Sequence, residues 1–450
     1  MGSAFEAYFN SLKGKRILVL GLGVSNRPLV RLLLSYGCQV TGCDRTPREK
    51  LDAEVLELEK LGCELRTGDD YLDDLSAELV FRTPGMHPEN PALQGLRAAG
   101  AQVTSEMEVF FEVCPCPIIA VTGSDGKTTT TTLISEILKA SGKNVWLGGN
   151  IGTPLLPLVP QMAADHVAVV ELSSFQLMDM SHSPKVAVIT NLAPNHLDVH
   201  KDMEEYIRAK TNIFNFQSKS DRLILNADNG ITAGFKGPGV TEFFSRQGKA
   251  VHIRQEGNWI VRGGDKVLDV TTIAIPGVHN IENYMAAIGA VEGLASDEVI
   301  RRVAASFGGV EHRIELVRVK NGVRFYNDSI ASSPTRTIAG LKSFDEKVLL
   351  IAGGYDKHIP YDVLGPHIVE HAKAVFLNGA TAPLIRKAVE ELPGCPELID
   401  CESFEDAVRK ADAYAKTGDV ILMSPASAAF DQFKNFMERG AYFKRLVKEL

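Results

Sequence analysis

Short runs of apolar residues recur along the chain, and most of them end at a glycine or a polar residue. Residues 16–20 form one run, followed by Gly21-Leu22-Gly23, a helical pattern of leucines and a second run at 39–44. Continuous runs are typical of strands covered on both faces, and alternation of strands with helices requires parallel pairing. The pattern therefore predicts an α/β protein. Further runs lie at 79–81, 118–121, 166–171, 186–189, 348–351, 374–377 and 420–423.

Length and charge narrow the class of protein. A chain of 450 residues is too long for one hydrophobic core, and its 45% hydrophobic content suits a globular protein. A net charge of −8 argues against nucleic acid as a partner. No run is long enough to span a bilayer and residues 1–16 lack a secretory signal, so we expect a cytoplasmic protein without membrane insertion. The seven cysteines match no zinc or redox spacing, and free thiols are expected.

A glycine-rich loop, Thr-Gly-Ser-Asp-Gly-Lys-Thr-Thr at 122–129, separates a predicted strand from a predicted helix. Its glycines allow backbone N–H groups to surround phosphate oxygens, and the helix N-terminus adds partial positive charge. Lys127 can reach the outer phosphates, and the Thr128 hydroxyl can bind Mg²⁺. The loop is shorter than a full P-loop and could be only a connecting turn. The order of strand, loop, Lys-Thr and helix nevertheless favours a nucleoside triphosphate site.

The chain is expected to form three α/β domains, with boundaries at 1–115, 116–310 and 311–450. The first is Rossmann-like, because a Gly-Leu-Gly turn joins its first strand to a helix. The central domain holds the P-loop and a parallel sheet that binds ATP. The third is again Rossmann-like, with strands that end before Gly353, Gly379 and Ser424.

Two possible metal ligands follow consecutive strands of the central segment. Glu171 ends the run 166–171, and His196 follows the run 186–189. Carboxyl ends of parallel strands meet at one edge of a sheet, so both side chains should face the ligand crevice. Either alone is more often a solvated surface group, and Asp198 or His200 could share the role of His196. Their occurrence together favours a Mg²⁺ site.

These motifs together resemble the Mur ligase superfamily, which includes the peptidoglycan amino-acid ligases and folylpolyglutamate synthase. The resemblance covers nearly the whole chain. The motifs that carry it are the loop at 122–129, Gly148-Gly-Asn-Ile-Gly152, Glu171-Leu-Ser-Ser-Phe-Gln176, Asn195-His-Leu-Asp198, Gly277-Val-His-Asn-Ile-Glu-Asn283, His312-Arg313 and Asn327-Asp-Ser329.

Within the superfamily, three features are similar to the branch that adds D-glutamate to UDP-N-acetylmuramoyl-L-alanine in peptidoglycan synthesis. They are Gly21-Leu-Gly23, residues 172–177 and the long signature at 431–440. The resemblance implies an ADP-forming amide ligase that acts through an acyl phosphate. It implies ATP, UDP-N-acetylmuramoyl-L-alanine and D-glutamate as substrates, two Mg²⁺ ions and a monomer.

The resemblance also implies roles for residues of the nucleotide and metal site. Lys127, Glu171, His196 and Lys210 would be catalytic, and Lys210 matches the lysine that the family carbamylates. From the sequence alone, Lys210 would be interpreted as a solvated surface residue. Thr128, Glu171, His196 and Lys210 would be the metal ligands. The implied ATP-binding residues are Gly123, Ser124, Asp125, Gly126, Lys127, Thr128, Thr129, Asn280, Asn283, Arg313 and Asp328.

Two further sets of residues would bind the other substrates. The turn at Gly21-Leu-Gly23 lacks the third glycine of a dinucleotide fingerprint, which weakens an NAD-binding interpretation, although Asp44 lies where a ribose-binding acid would. A turn that binds no ligand also stays open. D-Glutamate would meet Ser332, Lys357 and Phe436. The implied contacts of the UDP substrate are Val24, Ser25, Asp44, Arg45, Gly85, Asn150, Ser173 and His196.

Several positions depart from the family pattern. Ile330 stands where members often carry lysine, Tyr355 and Asn195 where they often carry aspartate, and Ala429 where they often carry serine. These departures affect the contacts to D-glutamate rather than the nucleotide chemistry.

Two alternatives stay open. A sister ligase or a folylpolyglutamate synthase would share the ATP site, and the signature at 431–440 argues against it. A P-loop module that binds nucleotide without chemistry would not need Glu171, His196 and Lys210.

Overall fold

The structure, a computed structural model, describes residues 3–194 and 199–450. The chain divides into two compact units: Met1–Val270 with Glu282–Val303, and Thr271–Ile281 with Ala304–Leu450. The first unit contains two β-sheets and the second contains one. Each of the three predicted domains supplies one sheet, which confirms the α/β class and its three-part architecture. The predicted boundaries between the domains stay predictions.

The first sheet is wholly parallel, with the strand order β3-β2-β1-β4-β5. Its strands are β1 (Arg16–Leu20), β2 (Gln39–Asp44), β3 (Glu64–Thr67), β4 (Leu79–Arg82) and β5 (Gln102–Thr104). Side chains of Ser3, Asp52, Asn90 and Ser105 cap four of the accompanying helices by accepting bonds from first-turn N–H groups. The helices are α1 (Ala4–Ser11), α2 (Asn26–Ser35), α3 (Ala53–Lys60), α4 (Pro91–Ala98) and α5 (Glu106–Val113), with a 3-10 helix at Arg48–Lys50.

The second sheet has nine strands in the order β14-β13-β12-β11-β10-β9-β6-β8-β7. Its strands are β6 (Ile118–Thr122), β7 (Val145–Gly149), β8 (Val167–Glu171), β9 (Val186–Ile189), β10 (Arg222–Asn226), β11 (Val240–Ser245), β12 (Ile253–Glu256), β13 (Trp259–Arg262) and β14 (Asp265–Asp269). The helices are α6 (Lys127–Ala140), α7 (Ser174–Leu177), α8 (Met203–Asn215), α9 (His279–Ala290) and α10 (Asp297–Ser306), with 3-10 helices at Leu156–Gln161, Thr232–Gly234 and Val270–Thr272.

The sequence predicts a parallel sheet, and the structure adds two strands to it. These strands, β13 and β14, are antiparallel to the strands they pair with. Two-residue turns join β12 to β13 and β13 to β14. Gly257, Gly263 and Gly264 all have positive φ angles there. Tight hairpin turns require such angles, and glycine adopts them at little cost.

The third sheet has the order β15-β16-β20-β17-β18-β19, with only β15 antiparallel. Neighbouring residues such as Leu349 and Leu350 point to opposite faces, so apolar cores form on both sides. The strands are β15 (Glu315–Lys320), β16 (Val323–Asn327), β17 (Val348–Ala352), β18 (Ala372–Leu377), β19 (Glu397–Asp400) and β20 (Val420–Met423). The helices are α11 (Pro334–Leu341), α12 (Gly365–His371), α13 (Ala382–Glu390), α14 (Phe404–Tyr414) and α15 (Phe436–Glu449), with a 3-10 helix at Asp362–Leu364.

Every apolar run quoted from the sequence corresponds to a strand, with shifts of a residue or two at the ends. The run at 166–171 begins as a strand at Val167, and the run at 374–377 begins at Ala372. All seven cysteines are free. Within residues 3–194 and 199–450, no helix combines the length and the apolar character needed to cross a membrane.

Candidate active site

The phosphate loop has a backbone that only glycine fits at two positions. Gly123 has φ 152° and Gly126 has φ 76°. A Cβ atom would lie 2.0 Å from the Thr190 hydroxyl at position 123 and 2.3 Å from the Asn283 Oδ1 atom at position 126. The loop therefore closes between β6 and α6 with its backbone tightly packed, as a phosphate cradle requires.

Side chains and backbone from the segment after β9 brace this loop. The N–H of Asp125 donates to Asn191 Oδ1 at 3.0 Å, and the Thr190 hydroxyl donates to the Asp125 carbonyl at 2.5 Å. The N–H of Ser124 bonds to the Asn191 carbonyl, and its hydroxyl is 2.9 Å from Tyr206 Oη. These bonds fix the loop before any ligand binds.

The first residues of α6 carry the lysine and threonines of the motif. Gly126 is the N-cap, and Lys127, Thr128 and Thr129 are half-buried in the first turn. Lys127 Nζ donates to the Ser124 carbonyl at 2.9 Å, which folds the side chain over the loop. The predicted ATP-binding residues of this segment thus lie at a helix N-terminus, with Gly123 and Ser124 buried and residues 125–129 at least partly exposed.

Glu171 lies on the strand next to the loop, since β8 pairs with β6. Its side chain is buried, and Oε1 accepts a bond from Asn150 Nδ2 at 2.8 Å. Oε2 is also buried and has no hydrogen-bond partner among the described residues. Gly149 permits this approach of Asn150, because a Cβ atom there would lie 2.2 Å from the Glu171 carbonyl. A buried carboxylate oxygen without a donor suits a cation ligand.

Lys210 is buried beside the loop, contrary to its interpretation as a surface residue from the sequence alone. It lies on α8 and its Nζ donates to Thr122 Oγ1 and to the Gly123 carbonyl, both at 3.0 Å. Burial and the nearby charge of Lys127 lower the pKa of Lys210 well below its ordinary value, while Glu171 opposes them. The structure therefore brings Lys210 to the phosphate loop in an environment that favours the neutral amine.

His196 lies outside the described residues, as do Asn195 and Asp198. His200 is described and buried. Its ring stacks on Phe175 with centroids 5.5 Å apart, and its Nε2 is 2.9 Å from Ser174 Oγ. These contacts indicate a packing role for His200 against α7.

Ser173, a predicted substrate contact, is the N-cap of α7. Its hydroxyl and its N–H both bond to Gln176 Oε1, and the two residues form a reciprocal capping box. Ser173 is half-buried and lies two residues beyond the end of β8.

The carboxyl ends of β1, β2 and β4 meet at the crevice predicted for the UDP substrate. Asp44 accepts bonds from the N–H groups of Leu22 at 2.8 Å and Thr46 at 2.9 Å. Burial acts to raise the pKa of Asp44, but these bonds outweigh it, and the net pKa lies below its ordinary value. Asp44 is therefore an anion that shapes the turn. Val24, Arg45 and Gly85 are exposed around it, and Ser25 is half-buried.

Arg82 is a residue whose role the sequence analysis missed. Its guanidinium is fully buried and donates to the carbonyls of Thr83, Pro84 and Met86, which holds the loop that contains Gly85. It also donates to Asp179, beyond α7. Arg82 follows Leu-Val-Phe directly in β4, and a charge at the end of an apolar run could have indicated a buried partner.

Three predicted ATP contacts lie in the second unit. Asp328 follows β16 and is buried; burial raises its pKa to about 7, although the Ser424 hydroxyl donates to it at 2.7 Å. Arg313 lies between His312 and Ile314, both of which have positive φ angles. Such strained backbone is typical of functional segments. Asn280 lies in the first turn of α9, and its Nδ2 donates to the Pro276 carbonyl at 2.5 Å.

Asn283, the remaining predicted ATP contact, belongs to the first unit. Its side-chain oxygen accepts from Thr130 Oγ1 at 3.2 Å and lies directly beside Gly126. Asn283 therefore supports the phosphate loop.

The residues predicted for D-glutamate lie at the carboxyl-end loops of the third sheet or at the start of α15. Lys357 is exposed, whereas Ser332 and Phe436 are half-buried. The Phe436 carbonyl accepts from Ser329 Oγ at 2.7 Å, which ties the start of α15 to the loop after β16. The described contacts do not join Lys357 to Ser332 or Phe436.

Arg439, within the 431–440 signature, was given no role from the sequence. It is buried and donates to the Ser329 hydroxyl and carbonyl and to the carbonyls of Ser427 and Ala428. Burial lowers its pKa to about 10. Arg439 therefore explains part of the signature, because it holds together the loops after β16 and β20.

Comparison with known proteins identifies the family. The family model "Mur ligase middle domain" matches residues 121–291, and "Mur ligase, glutamate ligase domain" matches residues 312–427. A protein of Acetivibrio thermocellus named UDP-N-acetylmuramoylalanine--D-glutamate ligase is 50% identical to the chain, with all of both chains covered. The chain belongs to the Mur ligase family. Proteins of the same name from Ruminiclostridium cellulolyticum and Clostridium botulinum are 50% and 45% identical, again over the full length of both chains.

Solved Mur ligase structures share the fold. The UDP-N-acetylmuramate-alanine ligase MurC of Thermotoga maritima has a TM-score of 0.58 at 18% identity, with 97% of this chain and 99% of that chain covered. The MurF ligase of the same organism, solved in complex with ADP, has a TM-score of 0.57 at 16% identity, with all of both chains covered. These similarities confirm the fold class predicted for this Mur ligase.

Proposed function

We propose that this Mur ligase joins D-glutamate to UDP-N-acetylmuramoyl-L-alanine and converts ATP to ADP and phosphate. The observation that carries the reaction type is the phosphate loop with buried Lys210 and Glu171 beside it. Support for these particular substrates comes from the relatives of 45–50% identity over the full length of the chain. The reaction belongs in the cytoplasm, where ATP and nucleotide-linked precursors are available, and the active form is a monomer.

ATP binds with its phosphates at the loop from Gly123 to Thr129. The N–H groups at the start of α6 and the Lys127 ammonium neutralise phosphate charge. Lys127 now donates to the Ser124 carbonyl, within the same loop, so a small rotation of its side chain reaches a phosphate oxygen. Asn280, Arg313 and Asp328 are the proposed contacts of the adenine, the γ-phosphate and the ribose.

The residues present fit Mg²⁺. Glu171 has a buried oxygen without a donor, and Thr128 offers a hydroxyl in the first turn of α6. Thr128 would hold one ion, and Glu171 would share the second with His196 and Lys210. When bound, Mg²⁺ offsets the charge that develops on the transferred phosphoryl group.

Lys210 would join the metal ligands as a carbamate. A neutral amine forms an N–C bond with CO₂ and loses a proton, which gives an anion. The low pKa of Lys210 favours the neutral amine that this step requires. The same burial disfavours an ammonium ion at this position, and the charge of the carbamate would be offset by the bound Mg²⁺.

The chemistry proceeds in two balanced steps. The carboxylate of the UDP substrate attacks the γ-phosphorus, and the bond to ADP breaks, which gives an acyl phosphate. The amine of D-glutamate then attacks the acyl carbon, the bond to phosphate breaks, and the nitrogen loses a proton. No side chain of the protein forms a covalent bond with the substrate.

The first sheet and the second unit would hold the two substrates that are joined. Asp44 fixes the turn at which Val24, Ser25, Arg45 and Gly85 would meet the UDP group. Asn150 and Ser173 would position the muramoyl part near Glu171. For D-glutamate, Lys357 would pair with a carboxylate, with Ser332 and Phe436 at the same pocket. The domains at 1–115, 116–310 and 311–450 would bind UDP, ATP and D-glutamate respectively.

The test is phosphate release from ATP and Mg²⁺ with UDP-N-acetylmuramoyl-L-alanine. We expect release with D-glutamate, together with a new amide product, and background release with L-glutamate or no amino acid. ATP turnover at a rate that depends on neither the carboxylate substrate nor the amino acid would instead support a nucleotide-binding module. Turnover only with folate and L-glutamate would support the folylpolyglutamate branch.

A further inference from the structure

A cluster of two histidines and a glutamate lies on α12, in the second unit. His367, Glu370 and His371 occupy positions i, i+3 and i+4, so they lie on one side of the helix. The Glu370 Oε2 atom is 3.9 Å from His367 Nδ1 and 3.5 Å from His371 Nε2. No residue of this cluster takes part in the proposed amide-forming reaction.

These separations are close to those of ligands around one metal ion. Two ligands of a tetrahedral zinc ion, each about 2.1 Å from the metal, lie about 3.4 Å apart. One ligand atom from each of the three residues lies within 4.8 Å of the other two. Small side-chain rotations would therefore bring all three to a common ion.

Burial supplies a second observation. His367 Nδ1 is buried, and it has no hydrogen-bond partner in the part of the chain that the structure describes. A buried polar nitrogen without a partner costs free energy, which a bound cation would recover. The Glu370 side chain is 67% exposed, whereas those of His367 and His371 are 28% and 21% exposed. An ion can therefore enter from the side of Glu370.

The chemistry of the ligands selects the class of ion. Two imidazoles and one carboxylate suit Zn²⁺, Ni²⁺ or Cu²⁺, whereas Mg²⁺ prefers oxygen ligands alone. Glu370 and His371 lie in the last turn of α12, where the partial negative charge of the helix end favours a cation.

A second cluster provides a useful contrast. Glu242, His252 and Glu292 also lie close together, but arginines already neutralise the two carboxylates. Arg222 lies 2.6 Å from Glu242 and 3.0 Å from Glu292, and Arg262 lies 3.5 Å from Glu292. Two guanidinium groups at this position would repel a metal ion. No arginine or lysine forms a described ion pair with the cluster on α12.

We propose that His367, Glu370 and His371 form a binding site for one divalent transition-metal cation, such as Zn²⁺, with water completing its coordination. The site is a property of α12 and does not depend on the proposed ligase reaction.

The test is Zn²⁺ binding to the untagged protein, measured by competition with a chromophoric chelator in excess Mg²⁺. We expect one tight ion per chain, and at least a tenfold loss of affinity in His367→Ala and in His371→Ala. Glu370→Gln should bind more weakly than the wild type. Anomalous scattering at the zinc edge should place the ion beside α12.

His252→Ala is the matched control, because it removes a histidine from the other cluster. It should bind Zn²⁺ as the wild type does. Far-UV circular dichroism checks the fold of each variant, and His371→Gln replaces His371→Ala if that variant unfolds. Wild-type affinity in the His367 and His371 variants, or loss of binding in His252→Ala, would overturn the proposal.

Discussion

At the scale of single residues, the side chain of Glu171 combines features that rarely occur together without a ligand. One carboxylate oxygen is satisfied by Asn150, and the other is buried without a donor among the described residues. A structural carboxylate would have donors for both oxygens. This asymmetry is the clearest local support for the cation site proposed at the end of β8.

Replacement of Glu171 by glutamine keeps the shape of the side chain and removes its charge. We expect Glu171→Gln to lower kcat by at least about 100-fold, because a charged ligand of the proposed Mg²⁺ ion, which offsets charge on the phosphoryl group, is lost. The ATP dissociation constant should change only a few-fold, since the loop and Lys127 stay intact. Phosphate release and calorimetric titration measure the two effects.

The matched control is Asp165→Asn, a change at a highly exposed carboxylate just before β8. It should leave kcat unchanged. Equal losses in Asp165→Asn and Glu171→Gln would contradict a metal-binding role for Glu171.

Glu106 gives a prediction about pH. Full burial raises its pKa to about 7, and the N–H of Leu156 donates to it at 3.1 Å. The folded protein therefore retains this proton while the unfolded chain loses it, so stability falls as pH rises from about 4.5 to 7. The rise in pKa corresponds to about 3 kcal/mol. Glu106→Gln should remove this loss.

Urea unfolding at several pH values measures the effect. Glu106→Gln should gain stability over the wild type as pH rises to 8 and show little difference near pH 4.5, whereas the exposed control Glu49→Gln should show no trend. A gain that is equal at all pH values would contradict the titration of Glu106.

Lys210 shows what sequence reasoning from residue types could not provide. The segment around it, Arg208-Ala-Lys-Thr211, resembles that of any surface helix. The structure buries it because α8 packs against the phosphate loop, a contact between residues 88 positions apart. Only the family resemblance indicated a role for Lys210, and its burial beside the phosphate loop gives physical support to that role.

At the scale of elements, the turn from β6 to α6 depends on the absence of side chains. Gly126→Ala should weaken ATP binding at least tenfold, because its Cβ atom would meet the Asn283 side chain at 2.3 Å. Stability should also fall, by about 1–3 kcal/mol. ATP titration and urea unfolding measure both effects.

Gly142→Ala is a close control at the other end of α6. Its φ angle is 80°, against 76° for Gly126, but nothing lies within 4 Å of its Cβ position. It should cost about 1 kcal/mol through backbone strain alone and leave ATP affinity unchanged. Equal loss of ATP binding in the two variants would show that strain, rather than the contact with Asn283, determines the effect.

Elements with continuous apolar runs were predictable, and those without them were not. The central strands β1, β6, β8, β17 and β20 are buried on both faces, so their sequences contain little but apolar residues. Edge strands such as β3 and β14 are half-exposed and mixed in composition. The Gly257 and Gly263-Gly264 turns were the available signal for the β12–β14 hairpins.

At the scale of the whole molecule, the three sheets present predicted ligand residues at the carboxyl ends of their strands. Asp44, Glu171 and Asp328 each end or follow such a strand. This common placement follows from parallel pairing and made the location of the candidate site predictable from the sequence. The bonds from Arg82 to Asp179 and from Arg439 to Ser329 join residues 97 and 110 positions apart, and these pairings were not predictable from the sequence.

Tyr355, one of the departures from the family pattern, helps to hold together two loops of the third sheet. Tyr355 lies beside Phe430 with ring centroids 5.8 Å apart, and its N–H bonds to the Ala428 carbonyl. The loops after β17 and β20 are therefore joined through this aromatic pair and through the bond from Tyr355 to Ala428. This arrangement supports the loop of Lys357 in the absence of the aspartate often found at position 355.

Transfer of oxygen tests the central claim most directly. UDP-N-acetylmuramoyl-L-alanine labelled with ¹⁸O in its free carboxylate is incubated with ATP, Mg²⁺ and D-glutamate, and the released phosphate is analysed by mass spectrometry. An acyl phosphate places one carboxylate oxygen in each phosphate, so we predict phosphate that carries one ¹⁸O atom, in amounts equal to the amide product. Unlabelled phosphate, or phosphate release that does not depend on the carboxylate substrate, would contradict the account.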